Sequence, residues 1–600
     1  MKNSLLRALH TFFFLFVGLC ALAQSNTVSG VVVDEAEKPL PFATVVVEGT
    51  TIGVISDKSG AFKLVDIPKG EVRISASFLG YSKESIDLSL GSNETIEHKF
   101  ILKASVNSID EVVVSGTLRP VKRMESPVPV EVYTPTFFKK NPTPNIYEAL
   151  QNVNGVRPQL NCQVCNTGDI HINGLEGPYT MVLIDGMPIV SSLATVYGLS
   201  GIPNAMIERM EVVKGPASSL YGSEAIGGLI NIITKNPETA PIFSADVMGN
   251  TWQALNVDLG GRFNIGKKAS ALTGVNFYLF DQIVDNNNDN FTDVALQERV
   301  SVFQKWNFKR KSNRIFTLAG RYYFEDRWGG ELDWTPEFRG SGDIYGEAIT
   351  TERWEALGQY QLPTSENIVA SFSFNSHKQN SVYGDTPYIG DQRIGFGQMV
   401  WTKELKRHNI LVGAATRYTY YDDNTPATAD ATNILLNNPD EIWLPGVFVQ
   451  DEISMNEAHK VLLGFRYDYN DNHGNIYTPR LAYKWSLNKK NIFRLNAGTG
   501  FRVVNLFTED HAALTGAREV IIAEELAPET SYNVNMNYIN KMYGKNGNVA
   551  SIELSAWYTH FDNVIFPDYE TNANQIIYDN LNGHAVSQGV SINADLRTRF

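Results

Sequence analysis

The chain has 600 residues, 43% of them hydrophobic and 11% aromatic, which is enough apolar matter for packing and too much length for one ordinary core. Two or three domains are expected. A formal charge of -14, with 51 basic against 65 acidic residues and no basic stripe, excludes a nucleic-acid partner, because phosphate binding needs a basic surface.

Residues 1–24, MKNSLLRALHTFFFLFVGLCALAQ, place Lys2 and Arg7 ahead of an apolar run and end on Ala21-Leu22-Ala23. This is the pattern of an export signal that is removed on maturation, and Cys20 leaves with it. Leu19 stands where a lipoprotein signal wants a small residue. The exported chain then keeps Cys162 and Cys165 in a disulfide-permissive compartment. No later stretch offers eighteen consecutive apolar residues, so a membrane role requires a closed barrel of strands.

Residues 25–104 carry short alternating runs, among them VSGVVVDE, ATVVVEGT and VRISASFLGY, separated by Gly, Asp and Pro. The pattern predicts a small β-sandwich of about seven strands. It resembles the carboxypeptidase regulatory-like domain, in which SDKSGAFKL forms a hairpin. No cluster of His, Cys or carboxylates marks a catalytic site there, so a structural or docking module is expected. Residues 105–117 form a linker holding NSIDEVVVSGT. Such a β-prone segment is either an ordinary connecting strand or an edge strand offered to another protein's sheet.

Residues 118–237 alternate motifs in a dense order. Thr143 with Pro144 is expected to start a helix that Gly155 ends. IHING, YTMVLIDGMPIV, IPNAMIERMEVVKGPASSLYG and AIGGLINIITK then read as strand, strand, short helix, strand and a Gly-rich return. Gly215, Gly222, Gly227 and Gly228 permit positive φ and close backbone approach.

This run resembles the plug domain of TonB-dependent outer-membrane receptors. The resemblance rests on Leu183-Ile184-Asp185-Gly186, Ile207 to Val212, Gly215-Pro216, Tyr221-Gly222 and Gly227 to Ile232. It implies that Asp110, Glu111, Val112, Val113, Val114 and Ser115 form the TonB box that a periplasmic energy transducer grasps. The family usually has Arg where this chain has Asn173, which removes one expected ion pair between plug and barrel.

Residues 238–600 give roughly ten-residue segments of alternating polarity that end in aromatics, such as NRIFTLAGRYYFED and HKVLLGFRYDYN. They predict a transmembrane β-barrel with interfacial aromatic girdles. The fold class is therefore mostly β: N-terminal sandwich, α/β plug, antiparallel barrel. The count reaches about sixteen strands, against about twenty-two for a barrel that encloses a plug, so a chain incomplete at its C-terminus is expected.

Two loops carry ligand chemistry. Cys162 and Cys165 form either a disulfide or a pair of soft ligands for Cu(I) or Zn²⁺, with His171, Met181 and Met187, and further on Met206 and Met210, as helpers. On the resemblance this loop lies at the extracellular apex. Asp285, Asn287, Asp289 and Asp293 place oxygens at alternating positions suited to Ca²⁺, though Asn290 replaces the turn glycine and no Glu stands at the twelfth position. No nucleophile triad, paired-carboxylate or phosphate-cradling arrangement appears, so no enzyme and no required cofactor is expected.

The resemblance implies TonB-dependent import across a Gram-negative outer membrane. The expected cargo is a metal or metal chelate; a glycan or peptide importer and a passive porin or adhesin are the alternatives. Expected partners are the periplasmic transducer, outer-membrane lipid, a small extracellular ligand and a surface lipoprotein.

Overall fold

The computed structural model describes residues 26–102, 112–162, 167–188, 195–503 and 518–597, except for positions 36, 49, 51, 79–80, 82, 426–427, 431–432 and 545–547. The expected export signal, Asp110, Glu111 and Cys165 lie outside the described residues.

The N-terminal unit is a seven-stranded sandwich. Asn26–Asp34 pairs parallel with Thr95–Leu102 and antiparallel with Ala61–Ile67. The facing sheet runs Gly53–Ile55, Thr44–Val47, Gly70–Ser77, Glu84–Leu90. Period-two spacing turns Val28, Val32, Val45, Val47, Phe62, Ile74 and Phe100 into the single core between the sheets. The hairpin in SDKSGAFKL is closed by Asp57, whose Oδ1 accepts the Ser59 N–H at 2.8 Å and the Ala61 N–H at 3.0 Å, while Gly60 supplies φ +77°.

The second unit holds the plug and the barrel. The plug's five-stranded sheet has the order Glu131–Tyr133, Ile207–Lys214, Gly228–Thr234, Thr180–Ile184, Met187–Pro188. The three pairings of the first three strands and of the Leu183–Pro188 hairpin are antiparallel, whereas Thr180–Ile184 runs parallel to Gly228–Thr234. These near-continuous apolar strands are buried on both faces, as a covered mixed sheet requires. Gly228 is indispensable in this ladder: at φ +145° a Cβ would meet the Val213 carbonyl oxygen at 2.2 Å.

The expected helix start is corrected. The helix is Ile146–Ala149, capped by Asn145 and not by Thr143: Asn145 is extended and its Oδ1 accepts the Glu148 N–H at 2.8 Å. The Thr143 hydroxyl is spent on the Asn145 carbonyl, and Pro144 holds the chain one residue short of the helix.

From Phe243 to Arg597 sixteen strands form one antiparallel sheet in simple up-and-down order. Its first strand, Phe243–Gly249, and its last, Ala585–Arg597, stand at the two ends of that order. The sheet inverts the rule of a soluble protein. In Asp440–Ser454, Val447 and Val449 are exposed, whereas Gln450 and Glu452 are buried. Exposed Trp354, Trp443, Tyr477, Trp485 and Tyr532 mark where the apolar outer band would meet the membrane interfaces. Among the described residues no helix is long and apolar enough to cross a membrane.

Candidate functional site

Strand connections give the barrel its polarity. Residues 281–295, 331–345 and 564–584 are long connections at one end, which also has the short turns 250–254, 384–385 and 471–473, whereas 266–268, 362–366, 406–407, 455–458 and 489–490 at the other are all short. Outer-membrane barrels keep short turns in the periplasm and long loops outside. Glu404 and Glu452, beside two of the short turns, therefore mark the periplasmic end.

The described part of the expected box lies at that end. Val112–Val113 pairs antiparallel with Val121–Lys122, and Arg119 reaches barrel Glu452 at 2.7 Å and Glu404 at 3.4 Å. Directly after Val113, the segment is latched to the plug sheet. Glu211, fully buried, accepts the Val114 N–H at 2.9 Å, the Ser115 N–H at 2.9 Å and the Ser115 hydroxyl at 2.7 Å through one carboxylate oxygen. Its other oxygen takes Arg209 at 2.7 Å. Asn231 donates to the Ser115 hydroxyl, and the Tyr221 phenol donates to the Ser115 carbonyl. Val113 is buried with Val121, Val128, Val213 and Leu229. Of the six expected box residues, Val112 is exposed and Val113 and Ser115 are buried, so the latter two must be pulled out before another protein can pair with them.

The plug meets the wall through apolar patches, such as Leu220 against Leu411 and Phe448 and Met206 beside Leu272 and Phe303, and through scattered polar ties. Ion pairs join Lys139 to Asp246 at 2.7 Å, Asp185 to Lys305 at 2.9 Å, Glu224 to Arg417 at 2.9 Å and Arg123 to Glu553 at 3.4 Å. Arg494 donates to the Ser126 and Arg123 carbonyls, Tyr179 to Glu529, and Ser373 to the Pro188 carbonyl. Asn154 reaches Asn593 on the last strand, and Asn204 reaches Asp258 on the second. Contacts from the second strand to the sixteenth mean that the sheet wraps the plug. The wall's inner face carries its own charged network, with Arg321 bidentate on Glu355 and Arg353 beside it.

Asn173 explains the departure from the family's Arg. It sits at φ +54°, a left-handed turn that Asn tolerates better than most residues, and its carbonyl accepts the Ser587 hydroxyl at 3.2 Å. A neutral tie to the barrel stands where an ion pair was expected.

The sequence's ligand candidates fall into several environments. Cys162 ends the strand Val156–Cys162, in register with Thr167, and Cys165 lies outside the described residues. His171 Nε2 lies 2.8 Å from Asp169, whose hydrogen bond raises the imidazole pKa against the opposing effect of burial. Met187, Met206 and Met210 pack in the main plug core and Met181 in the cluster around Val113, so their sulfurs fill apolar space. In the acidic loop, Asp285 accepts the Asn288 N–H at 2.7 Å, Asn287 that of Asp289 at 3.1 Å, Asp289 that of Phe291 at 2.9 Å and Asp293 that of Asn286 at 2.7 Å. The oxygens proposed for Ca²⁺ thus close the loop on its own backbone. Among the described residues no group of three or more His, Cys, Asp or Glu is placed to hold a metal.

A lipid-facing wall of strands wrapped around a tethered folded domain defines a plugged membrane barrel. Comparison with protein families agrees. The TonB-dependent receptor plug domain matches residues 122–229, the TonB-dependent receptor-like β-barrel residues 263–600, and a carboxypeptidase regulatory-like domain residues 28–114. The chain belongs to the TonB-dependent receptor family, whose members are outer-membrane β-barrels. It is 24% identical over 432 residues to the iron-regulated outer membrane virulence protein of Vibrio cholerae, covering 67% of this chain and 61% of that one. It is 32% identical over 249 residues to the TonB-dependent receptor SusC of Bacteroides thetaiotaomicron, covering 39% and 24%. Among solved structures, the siderophore receptor PirA of Pseudomonas aeruginosa shares the fold at a TM-score of 0.57 and 18% identity over 77% of this chain and 81% of that one. The chain thus spans about three-fifths of the length of its iron-regulated relative.

Proposed function

We propose that this receptor imports a scarce ligand across the outer membrane, driven by a periplasmic transducer that grasps residues 110–115. The observation that carries the reading is the latch: the segment's backbone and Ser115 are held on one buried carboxylate, Glu211, at the periplasmic end of a plug that separate ion pairs and apolar patches tie to the wall. Such a plug has low local stability relative to the strand ladder around it, so a pull on its N-terminal segment opens it before the wall yields.

For the cargo we favour a metal chelate. The iron-regulated relative supports it, and Cys162 and Cys165 remain the candidate soft-metal ligands or disulfide. Nothing in the site calls for catalysis, and transport is the chemistry we assign. Deletion of residues 110–115 in the full-length receptor tests the reading. Uptake of a radiolabelled ferric chelate is expected to fall to the level of a strain lacking the transducer, with the barrel still folded in the membrane. Undiminished uptake would exclude energy coupling, and energy-dependent uptake of an oligosaccharide instead would replace the cargo.

A further inference from the structure

Arg480 lies in the strand Gly474–Asn488 and faces the plug with 5% of its surface exposed. Among the described residues no carboxylate pairs with it. Its Nε has no hydrogen-bond partner. Asp468, on the neighbouring strand, is committed to Arg466 by bonds of 2.6 to 2.9 Å. A buried cation without a counter-ion is costly, and such a group in a native fold calls for an explanation.

Its surroundings supply one. Directly across the ladder Arg480 faces a glycine on each side, Gly464 and Gly498. The two missing side chains leave a narrow notch, closed on the Gly498 side by the plug's Pro216, 3.5 Å from where a Cβ would lie. A Cβ at Gly464 would lie 3.6 Å from the Arg480 Cβ and 3.6 Å from the Ser219 hydroxyl, so the plug's Ser219 borders the same space. Three more polar atoms in this seam are buried and without partners: the Ser218 hydroxyl and both side-chain atoms of Asn496, which sits diagonally across the ladder from Arg480 on the inner face. All four side chains are at least nine-tenths buried.

We propose that this notch is an oxyanion site. Arg480, the Ser218 and Ser219 hydroxyls and the Asn496 amide form a donor set for a small phosphate or carboxylate group. A guanidinium flanked by hydroxyls and an amide matches the tetrahedral or planar array of acceptor oxygens such a group presents. The anion supplies the counter-charge Arg480 lacks and pins the plug turn from Gly215 to Gly222 against the barrel wall. Plug docking thereby depends on anion occupancy.

Thermal unfolding of the full-length receptor in detergent tests this, with inorganic phosphate and acetate as separate probes against chloride at equal ionic strength. A ligand that binds the folded state raises its stability in proportion to occupancy. The wild-type midpoint is expected to rise with phosphate, with acetate, or with both, which also identifies the preferred source of the oxyanion. Arg480→Met is expected to lose that response yet be at least as stable as wild type in chloride, because a buried unpaired charge has gone. The double variant Ser218→Ala, Ser219→Ala keeps the charge and is expected to need about tenfold more anion for the same shift. The proposal is overturned if wild type and Arg480→Met respond alike to both anions. It is equally overturned if Arg480→Met is destabilised by the same amount in every buffer, since the guanidinium would then be satisfied by the protein itself.

Discussion

Glu211 is the residue that holds the proposed coupling segment to the plug sheet. Its carboxylate collects three donors from residues 114 and 115 and two guanidinium nitrogens of Arg209, and charge-assisted bonds of this kind contribute about 1.5–3 kcal/mol each. Glu211→Gln keeps the shape, removes the charge and forces one amide N–H toward an existing donor. Backbone amides of Val114 and Ser115 are expected to exchange with solvent at least about tenfold faster, while amides of the barrel strands stay protected. Unchanged protection at both residues would mean that the latch lies elsewhere. No sequence pattern reveals this role. Glu211 reads as part of an alternating family motif, and its partners lie 96 and 97 residues upstream. Arg480 is hidden in the same way, since the glycines that flank it are adjacent only through strand register.

At the scale of elements, the barrel strands are legible because lipid outside and a polar lumen inside impose strict alternation, and the count of about sixteen agrees with the sheet. The plug strands are legible from their motifs. The helix start is not, because Thr143 and Asn145 are both good caps and only the chain path decides between them. The hairpin of Val156–Cys162 and Thr167–Ile172 carries a pH dependence that sequence alone does not show. Asp169 raises the His171 pKa, with Glu176 adding to the effect and burial and Arg157 opposing it. A raised imidazole pKa contributes stability that is complete below the unfolded value near 6.5 and is lost as pH climbs through the folded value. Hairpin amides are therefore expected to be better protected at pH 5.5 than at pH 8.5, by about 1 kcal/mol or less, and His171→Gln is expected to flatten the profile. Protection that grows with pH in the wild type would contradict the pairing.

For the molecule as a whole, the contrast is between a wall held by continuous antiparallel ladders and a plug held to it by separate ion pairs, carbonyl contacts and apolar patches. Each such tie can break and be rehydrated singly, whereas removing a barrel strand breaks a full row of hydrogen bonds at once in lipid. The direction of the pull matters equally, because Val112 lies next to the latch and upstream of every plug strand. Single-molecule force measurement on the full-length receptor in a lipid bilayer, with the tether at Val112, tests this most directly. The account predicts that the plug lengthens in steps, starting with release from Glu211, at forces that leave all sixteen strands in the membrane. A plug that stays folded until the strands themselves are extracted would contradict it.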